Sequence, residues 1–288
     1  MNKLNLIFHI FIFLFAFHSC SDSDDGNEIQ IFLEAETHLN ISYGSHPHQV
    51  YDLYLPAGRS SSHTKLILLI HGGGWTGGDK NDMNGTVAIL QSLHPEYAIA
   101  NVNYILADAN QYAFPYQFQD LRTIIEKISS ESQELNIKPE FGMIGVIAGG
   151  HLAMMYDYKY DIENKVKFVT SIVGPTDFND SFYNENFEIP IIIQLLVDPE
   201  AYPEGTDFLT ELSPITHVSN SSSPTAMFFG DQDPLVPASN GSNMQEKLNQ
   251  FDVNNTLKIY NGGHGDNWTY EDVMEMQSII SQYIQTYL

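Results

Sequence analysis

Beyond about residue 30, short apolar runs alternate along the chain with stretches whose apolar residues recur at helical spacing. The runs "LILLIH" (66–71), "YAIANVNY" (97–104), "FGMIGV" (141–146), "VKFVTSIVG" (166–174), "TAMFFG" (225–230) and "TLKIY" (256–260) are mostly bounded by Gly, Pro or Asn and predict strands. Their near-continuous hydrophobicity fits a parallel sheet covered on both faces. Leu121, Ile124, Ile125 and Ile128 form one helical stripe, and Val273, Met276, Ile280, Tyr283 and Ile284 form another, so both segments predict helices packed on that sheet. The expected fold class is α/β, with a mostly parallel central sheet and helices on both faces. From about Asp177 to Ser222 a stretch rich in Asn, Asp, Phe and Pro breaks the alternation and predicts a small cap-like insertion over the strand ends.

The N-terminus has a different pattern. Lys3 precedes the apolar run "LNLIFHIFIFLFAF" (4–17), which is shorter than the ~20 residues of a membrane-spanning helix, so residues 1–20 read as a secretory signal. Its end, "FHSC", resembles a lipoprotein signal, in which Cys20 becomes the lipid-bearing terminus. The acidic stretch that follows makes residues 21–29 a solvated tether, and residues 30–288 form one domain of catalytic size. Cys20 is the only cysteine, which rules out an internal disulfide; lipidation explains its presence, and a plain free thiol is the alternative. The expectation is an exported lipoprotein at the outer membrane or cell surface of a Gram-negative-type bacterium, with Cys20 as its membrane anchor. With 12 Lys and Arg against 36 Asp and Glu, the net charge of −24 excludes nucleic acid as a partner and argues against anionic lipid surfaces.

Candidate chemistry sits at the ends of the predicted strands. "HGGGW" (71–75) follows a strand, and a glycine turn there brings backbone N–H groups close to a developing oxyanion. In order, "HGGGW", "NVNY" (101–104), "FPYQFQDL" (114–121) and "GVIAGGHLA" (145–153) resemble α/β-hydrolase esterases of the hormone-sensitive-lipase and feruloyl or acetyl-xylan esterase type. "DLYLP" (52–56) and "SPITHV" (213–218) add to the resemblance, which covers nearly everything from residue 40 onward. It implies the α/β-hydrolase fold and carboxylic-ester hydrolysis without metal or organic cofactor. It also implies a small-molecule or carbohydrate ester as ligand, an oxyanion hole from the N–H groups of Gly73, Gly74 and Ala148, and His264 as base. Asp233 in "GDQDPLVP" is the implied acid, with Asp231 as its near competitor. His46 and His48 are too isolated for a metal site and read as a surface turn. Neither the acyl group, the alcohol nor the oligomeric state is legible.

One part of the constellation departs from the pattern. Where Gly-x-Ser-x-Gly places a nucleophile, Gly145 and Gly149 flank Ile147, which has no atom able to attack a carbonyl. Other hydroxyls, such as Ser171 after the next strand, belong to different positions of the fold. Three readings stay open: a nucleophile-deficient homologue of low or no activity, serving as a surface ligand-binding lipoprotein; an active esterase whose serine is replaced here by mutation or error; and a catalyst in which His264 activates water. In all three a β-branched residue at a strained turn costs ~1–3 kcal/mol, and its side chain fills space above the oxyanion loop.

Overall fold

The computed structural model describes residues 32–186 and 188–288. The signal, the tether and Cys20 lie outside the described residues. The compact unit spans Leu33–Leu288. Its strands are β1 (Glu36–Ser42), β2 (Val50–Leu55), β3 (Leu66–Ile70), β4 (Ala98–Val102), β5 (Phe141–Val146), β6 (Val166–Ile172), β7 (Thr225–Gly230) and β8 (Asn255–Tyr260). The helices are α1 (Asn84–Leu93), α2 (Tyr116–Ser130), the one-turn α3 (Ser132–Leu135), α4 (Ala148–Met155), α5 (Glu188–Leu195), the one-turn α6 (Phe208–Glu211), α7 (Ala238–Gln250) and α8 (Tyr270–Tyr287).

The strands form one sheet in the order β1-β2-β4-β3-β5-β6-β7-β8. β1 and β2 run antiparallel to their neighbours, and every pairing from β4 to β8 is parallel. Alternate residues of one strand feed two separate cores, as the period of two requires. From β3, Leu66, Leu68 and Ile70 enter the core shared with α2, α4 and α7, whereas Ile67 and Leu69 enter the core closed by α1 and α8. All five of these side chains are fully buried, each worth roughly 1.5–3 kcal/mol relative to exposure. This two-sided burial explains the continuous apolar runs.

α4 has no polar face because it lies against the sheet centre, and all eight of its residues are buried. The insertion between β6 and β7 holds α5, α6 and several short 3-10 turns. It is pinned to the loop before α2, where Ala113 N donates to the Leu196 carbonyl and Asp198 N to the Phe114 carbonyl, both at 2.9 Å. The predicted cap-like segment is therefore a packed wall beside the strand ends. Ser171 proves to lie inside β6 rather than after it, with its Oγ buried and unpaired.

Candidate active site

The turn after β5 is the most constrained point of the chain. Ile147 has φ 56° and ψ −117°, a conformation that β-branched residues avoid. It is held there from both sides: Ile147 N donates to the Ile172 carbonyl at 2.8 Å, and the Ile147 carbonyl accepts the first bond of α4 from His151 N at 3.1 Å. Small residues make the turn possible. A side-chain carbon on Gly149 would lie 2.1 Å from the Ile70 carbonyl oxygen, so α4 approaches β3 at a distance only glycine permits. Backbone strain gathers here. Of the eight described non-glycine residues with positive φ, five are Asn or Asp, and the other three, Trp75, Ile147 and Val173, follow β3, β5 and β6 at the carboxyl edge of the sheet.

The loop after β3 lies alongside. Gly73 has φ 115°, and a side-chain carbon there would overlap the Gly77 carbonyl at 2.1 Å. Among the described residues, the N–H groups of Gly73, Gly74 and Ala148 donate to no other protein group. The Ile147 side chain reaches this loop: its Cβ and Cδ1 lie 3.1 and 3.2 Å from where a side-chain carbon of Gly72 would stand. His71 stacks on Tyr104 with ring centroids 4.4 Å apart, and Tyr104 Oη donates to the His71 carbonyl at 3.1 Å. Burial lowers the His71 pKa, which favours the neutral ring.

On the far side of β6, His264 Nδ1 donates to Asp233 Oδ2 at 2.6 Å. The Asp233 side chain is fully buried, and its Oδ1 accepts from Leu235 N and Val236 N at 2.8 and 2.9 Å. His264 keeps its Nε2 free of protein partners among the described residues, with the side chain 16% exposed. Asp231 does a different job. It is exposed, and its Oδ1 accepts from Gly262 N at 3.1 Å, bracing the loop that carries His264. That loop leans back across the sheet, since Val173 at the end of β6 lies 3.5 Å from the side-chain position of Gly265. The loops after β5, β6 and β8 thus meet at one edge.

The structure also brings in residues that sequence reasoning did not single out. Trp75 Nε1 donates to His151 Nδ1 at 3.3 Å, and His151 Nε2 donates to the Leu212 carbonyl at 2.8 Å. Burial pushes the His151 pKa down to about 4, so the imidazole is neutral and ties the HGGGW loop, α4 and the insertion together. Gln117 Nε2 donates to the carbonyls of Trp75 and Ile105, both at 2.8 Å. His151 and Gln117 lie in "GVIAGGHLA" and "FPYQFQDL", but nothing in those stretches marks the contacts that they make.

The profile of the BD-FAE family matches residues 51–248, more than half of the chain. The chain belongs to the BD-FAE family. With its relatives and structural neighbours, this places it among the α/β-hydrolase esterases. Arylacetamide deacetylase from Bos taurus is 26% identical over 157 residues, a match that spans 50% of this chain and 39% of that protein. The chain thus spans about two-fifths of the length of this curated relative. Among solved structures, a truncated carbohydrate esterase from gut microbiota superposes with TM-score 0.70 at 20% identity, covering 88% of this chain and 98% of that one. Carboxyl esterase 2 from Tuber melanosporum gives 0.68 at 19% identity, covering 88% of each chain. At these identities the likeness is one of fold.

Proposed function

We propose that this BD-FAE member is a carboxylic-ester hydrolase homologue that keeps the acid–base pair and the oxyanion loop but lacks the nucleophile, so its turnover as written is low or absent. One observation carries the reading: Ile147 occupies the strained turn at the head of α4 while His264 and Asp233 remain hydrogen-bonded at 2.6 Å. With serine at position 147, His264 Nε2 would take the hydroxyl proton, Oγ would bond to the ester carbonyl carbon, and the N–H groups of Gly73, Gly74 and Ala148 would hold the oxyanion. Isoleucine supplies neither proton nor lone pair. Its side chain also crowds Gly72, which leaves poor space for a water activated by His264. The ligand we assign is a carbohydrate or small-molecule ester. Its structural likeness to a carbohydrate esterase from gut microbiota favours it, and the net charge of −24 disfavours anionic ligands.

The test is hydrolysis of a short-chain aryl ester by the native chain and by Ile147→Ser. The native rate should lie near background and the variant well above it. A folded Ser variant that stays silent on aryl esters, acetylated sugars and feruloyl esters would leave ligand binding without hydrolysis as the function. We propose separately that Cys20 carries a lipid anchor. Palmitate labelling in cells should vanish in Cys20→Ala, and undiminished labelling would remove the anchor.

A further inference from the structure

A second concave surface lies at the same edge of the sheet, beyond β4. It is walled by the β1–β2 loop, the loop between β4 and α2, the first turns of α2 and the insertion, and encloses about 560 Å³, within the ~300–1,000 Å³ usual for small-molecule sites. Its lining includes Gln49, Gln111, Tyr112, Gln119, Asp120 and Asp198. We infer that this cleft binds a neutral saccharide.

The cleft is cross-braced. Asp120 is buried and its two oxygens are taken, Oδ1 by Gln49 Nε2 at 2.8 Å and Oδ2 by Ile105 N at 2.7 Å. Tyr116 Oη donates to Asp198, whose own N–H is bonded to the Phe114 carbonyl, so the insertion and α2 are locked across the opening. The braced walls are preformed, which lowers the ordering cost of binding.

The chemistry of the lining selects the ligand class. It contains no Lys, Arg or His, so a phosphate or carboxylate finds no countercharge. The two carboxylates already accept from internal donors, and burial raises the Asp120 pKa, which weakens the pull on a cation. What remains is amide: the Asn110 and Gln119 side chains offer donors and an acceptor, and Gln111, whose Nε2 donates to the Tyr112 carbonyl at 3.1 Å, adds an acceptor, matching hydroxyl groups that donate and accept. Tyr112, 44% exposed, adds an aromatic surface for the apolar face of a sugar ring.

The position is apt as well. Val102 of β4, Ile70 of β3 and Gly145 of β5 stand in register, so the end of β4 lies two strand spacings, roughly 10 Å, from the turn bearing Ile147. Gln117 joins the Ile105 carbonyl at the cleft to the Trp75 carbonyl of the HGGGW loop. The cleft and that turn thus share one edge of the sheet. The saccharide's use as the alcohol part of an ester rests on the function proposed above; its affinity does not.

The experiment is calorimetric titration of the native chain with xylotriose, cellotriose and maltotriose, with trigalacturonate as an anionic match and spermidine as a cation. At least one neutral trimer should bind saturably and trigalacturonate should not. Tyr112→Ala and Gln119→Ala, both at exposed positions, should each weaken binding roughly tenfold with an unchanged thermal melt. The inference is overturned if no neutral trimer binds, if both variants bind as the native chain does, or if spermidine displaces the sugar with higher affinity. Rescue of hydrolysis by Ile147→Ser without trimer binding sinks the cleft alone. Trimer binding without rescue sinks the hydrolase reading alone.

Discussion

At the end of β5 the backbone holds Ile147 at φ 56°, braced by Ile172 and His151, yet the side chain it presents has no chemistry. At the ends of β7 and β8 the balance is reversed. Asp233 and His264 present a hydrogen-bonded carboxylate–imidazole pair, on loops held by Asp231, Leu235 and Val236. The difference teaches that turn geometry and side-chain function are separable. The geometry is enforced by contacts that pass through backbone atoms and glycines, Gly149 against Ile70 above all, and these survive whatever side chain stands at position 147. Chemistry needs one particular atom, and a single substitution removes it.

The sharpest way to break the comparison is to give the turn its missing atom. Ile147→Ser should raise kcat/KM on a short-chain aryl ester by at least ~10³-fold, since loss of such a serine costs ~10⁶-fold in enzymes of this mechanism. Next in size are the partners, whose value appears only in that variant. Adding His264→Ala should return the rate to the native level, and adding Asp233→Asn should lower it by up to ~10⁴-fold, because the imidazole then loses the acceptor that fixes its tautomer. If Asp231→Asn hurt as much as Asp233→Asn, the assignment of the acid would be reversed.

The two regions also differ in how legible they were. The six strands from β3 to β8 announce themselves because tertiary structure buries β3–β7 on both faces, so that few polar residues, such as Asn101 in β4 and Lys167 in β6, interrupt the apolar runs. β1 and β2 do not. "ETHLNIS" is exposed along nearly its whole length, and it is a strand only because its backbone pairs with β2. Asp233 and His264 stand out as candidates through the glycines and prolines around them, and the frame of "GDQDPLVP" favours Asp233 over Asp231, although the partners of the two carboxylates are not legible there. The His151 bridge and the saccharide cleft were beyond reach. Each joins segments far apart in sequence, such as Trp75 with Leu212 or Gln49 with Asp120, and no local pattern encodes those meetings.

His151 offers the next test, since it links the HGGGW loop to the head of α4. His151→Leu leaves Trp75 Nε1 and the Leu212 carbonyl buried without partners, at ~1–3 kcal/mol each. Urea unfolding should show a total loss of about 2–6 kcal/mol. In the Ile147→Ser background, kcat should fall as well, whereas a purely local role would leave it unchanged.

A smaller effect concerns pH and lies away from the site. Burial pushes the Asp157 carboxyl up to about 7, against two opposing donations from Ser223. The folded pKa is raised above the unfolded value, so the contribution to stability is full below about pH 4 and is lost as pH rises toward 7. Within that window stability should fall by on the order of 1 kcal/mol per pH unit relative to Asp157→Asn, whose amide oxygen can accept from Ser223 N while its NH2 donates to Ser223 Oγ. The comparison with the Asn variant cancels the general repulsion of a chain at −24. Parallel pH profiles for the two proteins would show that Asp157 is ionised when folded.

The finest test isolates the strain itself. Ile147→Ala and Ile147→Gly both remove the contacts that Ile147 makes over Gly72, so both lose a similar amount of packing. They differ in one respect that matters at φ 56° and ψ −117°: alanine keeps the Cβ that clashes there, and glycine does not. Elsewhere in a helix-leading turn, glycine would be the less stable of the two because its unfolded chain is freer. Here the order should invert, with Ile147→Gly more stable than Ile147→Ala by about 1 kcal/mol in urea unfolding. The inversion requires that the turn be held by Ile172, His151 and Gly149 rather than by its own side chain. If alanine proved the more stable, the turn would have relaxed to negative φ, and position 147 would no longer present a serine where His264 can use it.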